Sequence, residues 1–494
     1  MDFDLESIKK YYGFRSKKEK LFQDISEEIS EDLNLDFLFF KLNKTNSKIG
    51  KQYFYSKFRI IETEQDKQLQ EYTEYFTHNN SIPVEQELDK LNKSKDYEIL
   101  DLILNDIYVN PKYLNYAKLS IALLFVIVIL GFFAKQMLLF LLPLFMANAY
   151  YHYANKNYVE YYNLIISRLH KTLTVAKNIG RNAYFAKEYQ SIPLKKLKGT
   201  FWTSNVSVQL AKNEFLIFFW LITELLKIAF NLEIFGFSRK VKILNAAKPE
   251  LLRVYEYIGK IDTANNLSKI KNDYPNCTPV FVDKKQIEVQ DMHHPLIDDC
   301  VTNSLDIENS SIVLTGSNMS GKTSFMRCFA INVIFAQSFG FCFAKAYKAP
   351  FMKILSSISI QDNITESKSY YLQEVLRIQH FLNETPQFQL VLIDEIFRGT
   401  NAKERIAISK AVLKAINTDH HIVFVTTHDL EIAHYLEGQQ YKLFFFSEEV
   451  DKDEIKFTFK INPGINTKTN AIRILEMYNY PEHIISESYG HLDS

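Results

Sequence analysis

The stretch GSNMSGKT, residues 316–323, decides how the rest of the chain is read. It follows SIVLT, an apolar, β-prone run ending at Thr315, and precedes SFMRCFAINVIFA, which has the pattern of a helix. Strand, glycine loop and helix together are the context in which G-x-x-x-x-G-K-[ST] binds phosphate. Gly316 and Gly321 let the backbone curl so that its N–H groups converge on phosphate oxygens. The helix that follows turns its positive end toward the same point. Lys322 is expected to reach the β- and γ-phosphates of ATP, and the Thr323 hydroxyl to take a place on Mg²⁺. The alternative is a chance glycine turn, against which the flanking strand and helix argue.

The complement to that loop lies at QLVLIDEIFRGTN, residues 389–401. Four apolar residues end in Asp394 and Glu395. An Asp at the end of a buried strand holds the water shell of Mg²⁺, and the adjacent Glu polarises the attacking water. A further strand-like run, HIVFVTTHD, ends in His428, placed to hydrogen-bond a γ-phosphate and register its loss. Between the phosphate loop and Asp394, in residues 361–382, Ser367 and Ser369 precede a helical pattern containing Glu374. A serine at a helix start is either an ordinary N-cap or an anion site, here available to a phosphate bound on another subunit.

Outside these motifs the chain divides by composition. A length of 494 residues exceeds one ordinary core, and 47% apolar with 23% charged residues predicts a folded protein. The net charge of zero advertises no global positive field for nucleic acid. Cys277, Cys300, Cys328 and Cys342 lack metal-type spacing, which fits a reducing compartment better than a disulfide framework. The start, MDFDLESIKKYYG, has no signal-peptide pattern. Residues 1–35 read as a charged helical segment and residues 36–275 as a helical domain. From residue 276 to 494 short β-prone runs alternate with helices, the pattern of a mostly parallel sheet covered by helices.

The helical region contains an interruption. Leu119–Ala134 and Met137–Ala154 are two uncharged apolar runs separated by Lys135 and Gln136. A membrane span needs about 20 mostly apolar residues, within a range of about 17–25. Residues 119–154 therefore read as a two-span hairpin in lipid with a tight turn at Lys135–Gln136. Flanking tyrosines form an interfacial belt, and Lys112, Lys118, Lys156 and Arg168 keep the N-terminus and the ATP site in the cytoplasm. The alternative is a hydrophobic helix pair in a core or dimer contact. Phe215–Phe230 is also very apolar, but its interior Glu224 and Lys227 point to a core or lever helix rather than a third span. The basic clusters Lys195–Lys196–Lys198 and Arg239–Lys240–Lys242 are either solvated faces or contacts for anionic headgroups or phosphate.

Taken together, TGSNMSGKTSFMR, ITESKSYYLQE, LVLIDEIFRGTN and VTTHD resemble the ATPase domain of the MutS DNA mismatch-repair family. MHHPLI and VTNSLDI, before the phosphate loop, and GINTKTNAIRILEMYNYPEHII, near the C-terminus, extend the likeness. DFLFFKLNKTNSKIGKQYFYSKFR resembles the start of the family's helical core or lever domain. The resemblance implies an α/β P-loop NTPase domain of ABC/MutS type behind an all-α core/lever domain, here carrying a transmembrane hairpin. It implies that Gly316, Ser317, Asn318, Met319, Ser320, Gly321, Lys322, Thr323 and Ser324 bind ATP and Mg²⁺. Asp394 would hold the metal's water, Glu395 act as base and His428 sense the γ-phosphate. Ser369 falls where the family reaches a partner's nucleotide, and Asn303 near its base-recognition loop. A homodimer through the ATPase domains is implied.

Two features depart from the family pattern. The family's Gly-Gly-Lys reads Ser320–Gly321–Lys322, and its Gly-Arg-Ser reads Ser367–Lys368–Ser369. The stretch before residue 36 is too short for a mismatch-reading domain and carries no Phe-x-Glu wedge. The leading expectation is therefore a membrane-anchored member of the family whose ATP cycle gates a dimeric clamp on mismatched, damaged or branched DNA. The alternative is the same engine coupled to a non-DNA membrane or protein partner. A transporter-type ATPase is disfavoured, because two spans per subunit build a poor pathway.

Overall fold

The computed structural model describes residues 2–17, 21–197, 217–317, 319–358, 370–383, 385–450, 455–465, 471–478 and 480–492. The chain forms two compact units. One comprises Met1–Gly13, Thr45–Phe54 and His78–Asn265, and the other Phe14–Lys44, Tyr55–Thr77 and Asn266–Ser494.

The second unit is the α/β one. Its strands in chain order are β1 (Gln23–Asp24), β2 (Ile60–Ile61), β3 (Val280–Phe281), β4 (Gln286–Met292), β5 (Asn303–Glu308), β6 (Ser311–Thr315), β7 (Ala346–Ala349), β8 (Met352–Ser357), β9 (Phe388–Asp394), β10 (His421–Thr426), β11 (Tyr441–Val450) and β12 (Ile455–Pro463). Six of them form the main sheet in the order β12-β11-β6-β10-β9-β8. All neighbours in it are parallel except the antiparallel pair β11–β12. β6 and β10 are buried along their whole length, which is why they read as continuous apolar runs rather than alternating ones. Val423 and Val425 join a core with Val391, Ile393, Leu413 and Ile416 on one face of the sheet. Phe424 points the other way, 4.9 Å centroid to centroid from Phe329 of the helix Lys322–Phe339. A smaller sheet has the order β3-β7-β4-β5.

This unit also takes in two segments from the N-terminal region, so its limits differ from the 1–35, 36–275 and 276–494 division expected from composition. The reason is burial of side chains against the helix Lys322–Phe339. Phe58 stacks edge-on with Phe335 at 5.3 Å. Arg59, fully buried, donates from Nη2 to the Ile25 carbonyl at 2.9 Å. Asp32 is a buried junction. Its Oδ2 accepts from Ser356 Oγ at 2.7 Å and from the Ile358 N–H at 3.1 Å, with Arg377 Nη1 at 3.4 Å. Its carbonyl accepts from Arg327 Nε at 2.7 Å. One residue of the helix Glu27–Asp32 thereby ties β8, the helix after the glycine loop and the helix Tyr370–Phe381 together.

The first unit is helical. Asp262, fully buried, accepts from the backbone N–H groups of Asn46 and Ser47 at 2.8 and 2.7 Å and from Ser47 Oγ at 2.6 Å. Tyr255 donates to Gln52 at 2.7 Å beside it in the core. Among the described residues, two helices are long and apolar enough to cross a membrane, within Pro111–Phe133 and Lys135–Ile179. Their apolar side chains face outward; Phe133 is 86% exposed. The expected tight turn at Lys135–Gln136 is instead a 3₁₀ stretch, Lys135–Phe140. The second helix, Leu141–Ile179, has 39 residues and runs well past Ala154, because nothing between Pro143 in its first turn and Gly180 after its end breaks a helix. Ile217–Phe230 is a helix, yet the expectation of a core position is not met: Leu221, Leu225 and Leu226 of its apolar face are exposed.

Asp32→Ala leaves the Arg377 guanidinium and the Ser356 hydroxyl without their shared acceptor. The expected loss is about 3–5 kcal/mol of stability of the α/β unit, the cost of breaking a buried ion pair. Urea denaturation of the purified protein checks it; an unchanged midpoint and slope would show that Asp32 is not a structural junction.

Candidate nucleotide site

The site forms where β6, β9 and β10 end. Parallel register brings it about. Thr426 of β10 lies directly across from Asp394 of β9 and from Leu314 of β6, two residues before the glycine loop. Thr426 Oγ1 donates to Asp394 Oδ1 at 2.5 Å, and Thr323 Oγ1 donates to Asp394 Oδ2 at 2.9 Å. One carboxylate thus joins the strand, its neighbour and the first turn of the helix after the loop.

The loop leaves β6 at Gly316, whose φ is +131°. A Cβ there would stand 2.8 Å from the Phe446 carbonyl oxygen and 3.0 Å from Ser320 Oγ, so both space and conformation require glycine. Gly321 enters the helix at φ +105°. Lys322 Nζ donates to the carbonyls of Gly316 and Ser317, each at 2.7 Å. Burial pushes its ammonium down to about 8, against the pull of Glu395 and Asp394. A buried cation whose hydrogen bonds go to neutral carbonyls is held ready for an anion. Ser317 Oγ donates to Glu448 Oε2 of β11 at 2.7 Å, and Ser320 Oγ to the Ser317 carbonyl at 2.7 Å. Met319 is 72% exposed at the loop's tip. Ser324 follows Thr323 in the helix, and Asn318 lies outside the described residues.

Glu395 sits in the left-handed region, φ +54°, and its N–H donates to Thr426 Oγ1 at 3.1 Å. Its Oε1 accepts from His428 Nε2 at 2.8 Å and its Oε2 pairs with Arg398 Nε at 2.7 Å. Burial pushes this carboxyl up, but the His428 hydrogen bond and the positive charges of Arg398 and Lys322 outweigh it and hold it below the usual range. It is therefore ionised at neutral pH. Phe397 is likewise left-handed, φ +57°, and its N–H donates to Glu374 Oε1 at 2.5 Å. Glu374 is 2% exposed, and burial raises its carboxyl to about 7.

Lys322, Thr323, Asp394, Glu395 and His428, expected from the sequence, are therefore assembled by hydrogen bonds or electrostatic interaction around one loop. Ser369 lies outside the described residues. Asn303 braces the structure instead of joining this group. Its Nδ2 donates to the Phe459 carbonyl at 2.9 Å and its Oδ1 accepts from the Ile461 N–H at 2.8 Å, fixing β12, whose Phe459 ring borders Gly321. Sequence reasoning missed Thr426 and Glu448 as site residues. Thr426 is signalled only by its strand ending level with the one that carries Asp394. Glu448 has no local signal; the β6–β11 pairing brings its strand beside the loop. The oxygen pair of Thr323 and Asp394 suits a hard cation such as Mg²⁺. Asp394, Thr323 and Lys322 thus fit both halves of a metal–nucleotide complex.

Residues 312–494 match the family model described as MutS domain V. Across a longer stretch the chain is similar to proteins named DNA mismatch repair protein MutS. With that of Staphylococcus haemolyticus it is 26% identical over 277 residues, covering 54% of this chain and 31% of the relative. With that of Carboxydothermus hydrogenoformans it is 28% identical over 257 residues, 49% of this chain and 30% of the relative. With that of Leptospira interrogans it is 27% identical over 270 residues, 51% and 31%. The chain thus spans about a third of the length of these relatives.

Glu374 offers a test of the loop behind Glu395. The folded protein keeps its proton up to about pH 7, whereas an unfolded glutamate releases it near 4.5. Stability from this group is therefore present at low pH, falls as the pH rises between those values and is level above. At about 1.4 kcal/mol per unit the loss is roughly 3.5 kcal/mol at most. Glu374→Gln keeps the acceptor for the Phe397 N–H and is expected to gain on the wild type across that window in urea denaturation; parallel curves would place the ionisation elsewhere. The α/β unit thus carries the assembled site and the match to MutS domain V together.

Proposed function

We propose that the chain is a membrane-anchored MutS-type ATPase whose nucleotide cycle closes and opens a dimeric clamp on DNA. The observation that carries the reading is the single set of hydrogen bonds running from Thr323 through Asp394 to Thr426 and from there to Glu395 and His428. It supports hydrolysis for a chemical reason. Lys322, freed from its two carbonyls, meets the β- and γ-phosphates, while the loop's N–H groups hold the remaining oxygens. Mg²⁺, when bound, neutralises charge on those phosphates, with Thr323 and Asp394 as the residues that hold it. Glu395, ionised and fixed by His428, orients a water molecule and takes its proton as the water oxygen bonds to the γ-phosphorus. The bond from that phosphorus to the β–γ bridging oxygen breaks, leaving ADP and phosphate. His428 touches the base, so a change at the γ-phosphate reaches the loop at Arg398–Gly399–Thr400 through Glu395.

Homodimerisation through the α/β units, with Ser369 completing the partner's site, follows the family resemblance, as does mismatched, damaged or branched DNA as the clamped substrate. The outward apolar faces of Pro111–Phe133 and Lys135–Ile179 support the bilayer as the anchor, with the ATP site in the cytoplasm. The zero net charge favours one second reading, the same engine coupled to a non-DNA membrane or protein partner.

Lys322→Ala is expected to abolish tight ATP binding. Glu395→Gln should bind ATP but hydrolyse it about 10²–10⁴ times more slowly. ATP binding and phosphate release, measured on the detergent-solubilised protein, separate the two effects; wild-type turnover in Glu395→Gln would remove Glu395 from the role of base. Affinity for homoduplex, mismatched and branched DNA across a salt series, with and without ATP, tests the clamp. Affinity that falls linearly on a log–log scale with salt and responds to ATP is expected. The absence of binding at low salt would leave the second reading.

A further inference from the structure

The helix Ile217–Phe230 has its polarity inside out. Leu221, Ile222, Leu225, Leu226 and Phe230 face outward, each between 38% and 50% exposed, while its two ionisable residues turn inward. Glu224 Oε2 accepts from Lys227 Nζ at 2.9 Å, and its Oε1 lies 3.6 Å from Nε2 of the buried His152, on the second hairpin helix. Nδ1 of His152 faces Glu233 Oε2 at 3.1 Å. One helical turn away, Asn148 accepts from Ser120 Oγ at 2.6 Å and from the Tyr116 hydroxyl at 2.8 Å, and donates to the Ala229 carbonyl at 3.0 Å. Asn231 donates to Ser120 Oγ at 3.2 Å. The two hairpin helices and Ile217–Phe230 are thus joined by polar groups on the inside and present hydrocarbon on the outside.

Water as solvent favours the opposite arrangement, with an apolar stripe toward the core and charge outside. In lipid, hiding apolar side chains gains nothing and an unpaired polar group is costly, so polar residues turn inward and pair across helices. The outward face is also continuous in character with the exposed apolar faces of the hairpin helices beside it. We infer that Ile217–Phe230 is a third membrane-contact element, with its outward face in contact with lipid.

Glu224 lies beside His152 and Ala229 beside Asn148, so the helix runs antiparallel alongside the second hairpin helix. Asn231, left-handed at φ +51°, then turns the chain directly into the helix Leu232–Ala246. The inference rests on the reading of the hairpin as a membrane anchor.

The test uses the full-length chain with Trp202→Phe and Trp220→Phe, so that Leu225→Trp or, in a second protein, Leu221→Trp supplies the one fluorophore. Tyr478→Trp, an exposed position in the α/β unit, is the control. Each protein is reconstituted into phosphatidylcholine–phosphatidylglycerol vesicles with acyl chains brominated at shallow or deep positions. Bromines at one depth or the other are expected to quench Leu225→Trp and Leu221→Trp at least twofold and to leave Tyr478→Trp unchanged. In proteins that float with the vesicles, quenching no greater than the control overturns the inference and leaves the anchor standing. Failure of the unsubstituted protein to float overturns the anchor, and this inference with it.

Discussion

The α/β unit depends on one carboxylate, that of Asp394. Its two oxygens accept from Thr426 on the neighbouring strand and Thr323 in the first turn of the helix after the loop. Both are hydrogen bonds to a charged acceptor, about twice as strong as neutral ones. Because Thr323 is one residue from Lys322, the carboxylate also sets where the loop's cation stands. The two donors and the carboxylate lie on three different segments, and only a parallel sheet in this register brings the ends of β9 and β10 level with the loop after β6.

Charge is arranged in layers around that point. Lys322 is buried against carbonyls, Glu395 is ionised between His428 and Arg398, and Glu374 lies buried behind the loop that carries them. The left-handed conformations of Glu395 and Phe397 are uncommon for side chains of their size and require support. The Thr426 hydroxyl supports one and the Glu374 carboxylate the other, each by accepting the N–H of the strained residue. The loop that bears the candidate base is therefore held from the sheet on one side and from the helix Tyr370–Phe381 on the other. A change at either support is felt at Glu395 without any contact to a nucleotide.

The helical unit follows two opposite patterns of side-chain burial. Around Asp262, Gln52 and Tyr255 it follows the rule for water, with polar groups admitted to the core only when hydrogen-bonded. Along Pro111–Phe133, the start of Leu141–Ile179 and Ile217–Phe230 the rule is reversed, with Ser120, Asn148 and His152 inside and leucine and phenylalanine outside. The change happens within one continuous helix, since Leu141–Ile179 carries outward Leu142 and Met146 near its start and buried Ile165, Ile166 and Leu169 further on.

By itself the sequence determined what local pattern can determine. The glycine spacing around Lys322, the buried run ending in Asp394–Glu395 and the strand ending before His428 named most of the site, because a phosphate loop and a strand-end carboxylate are short-range signals. The two apolar runs at 119–154 were visible for the same reason. What only the tertiary structure decided came from contacts between distant segments. Asp32 meets Ser356 and Arg377 across more than three hundred residues, and this draws residues 14–44 and 55–77 into the α/β unit. Cys277 and Cys342, with no suggestive spacing, face each other with Sγ atoms 3.5 Å apart. Asn303 is claimed by the backbone of β12, and Thr426 and Glu448 reach the site through strand pairing. The inward turn of Glu224 and Lys227 was equally hidden, because a helical pattern shows that two faces differ but not which of them meets the protein.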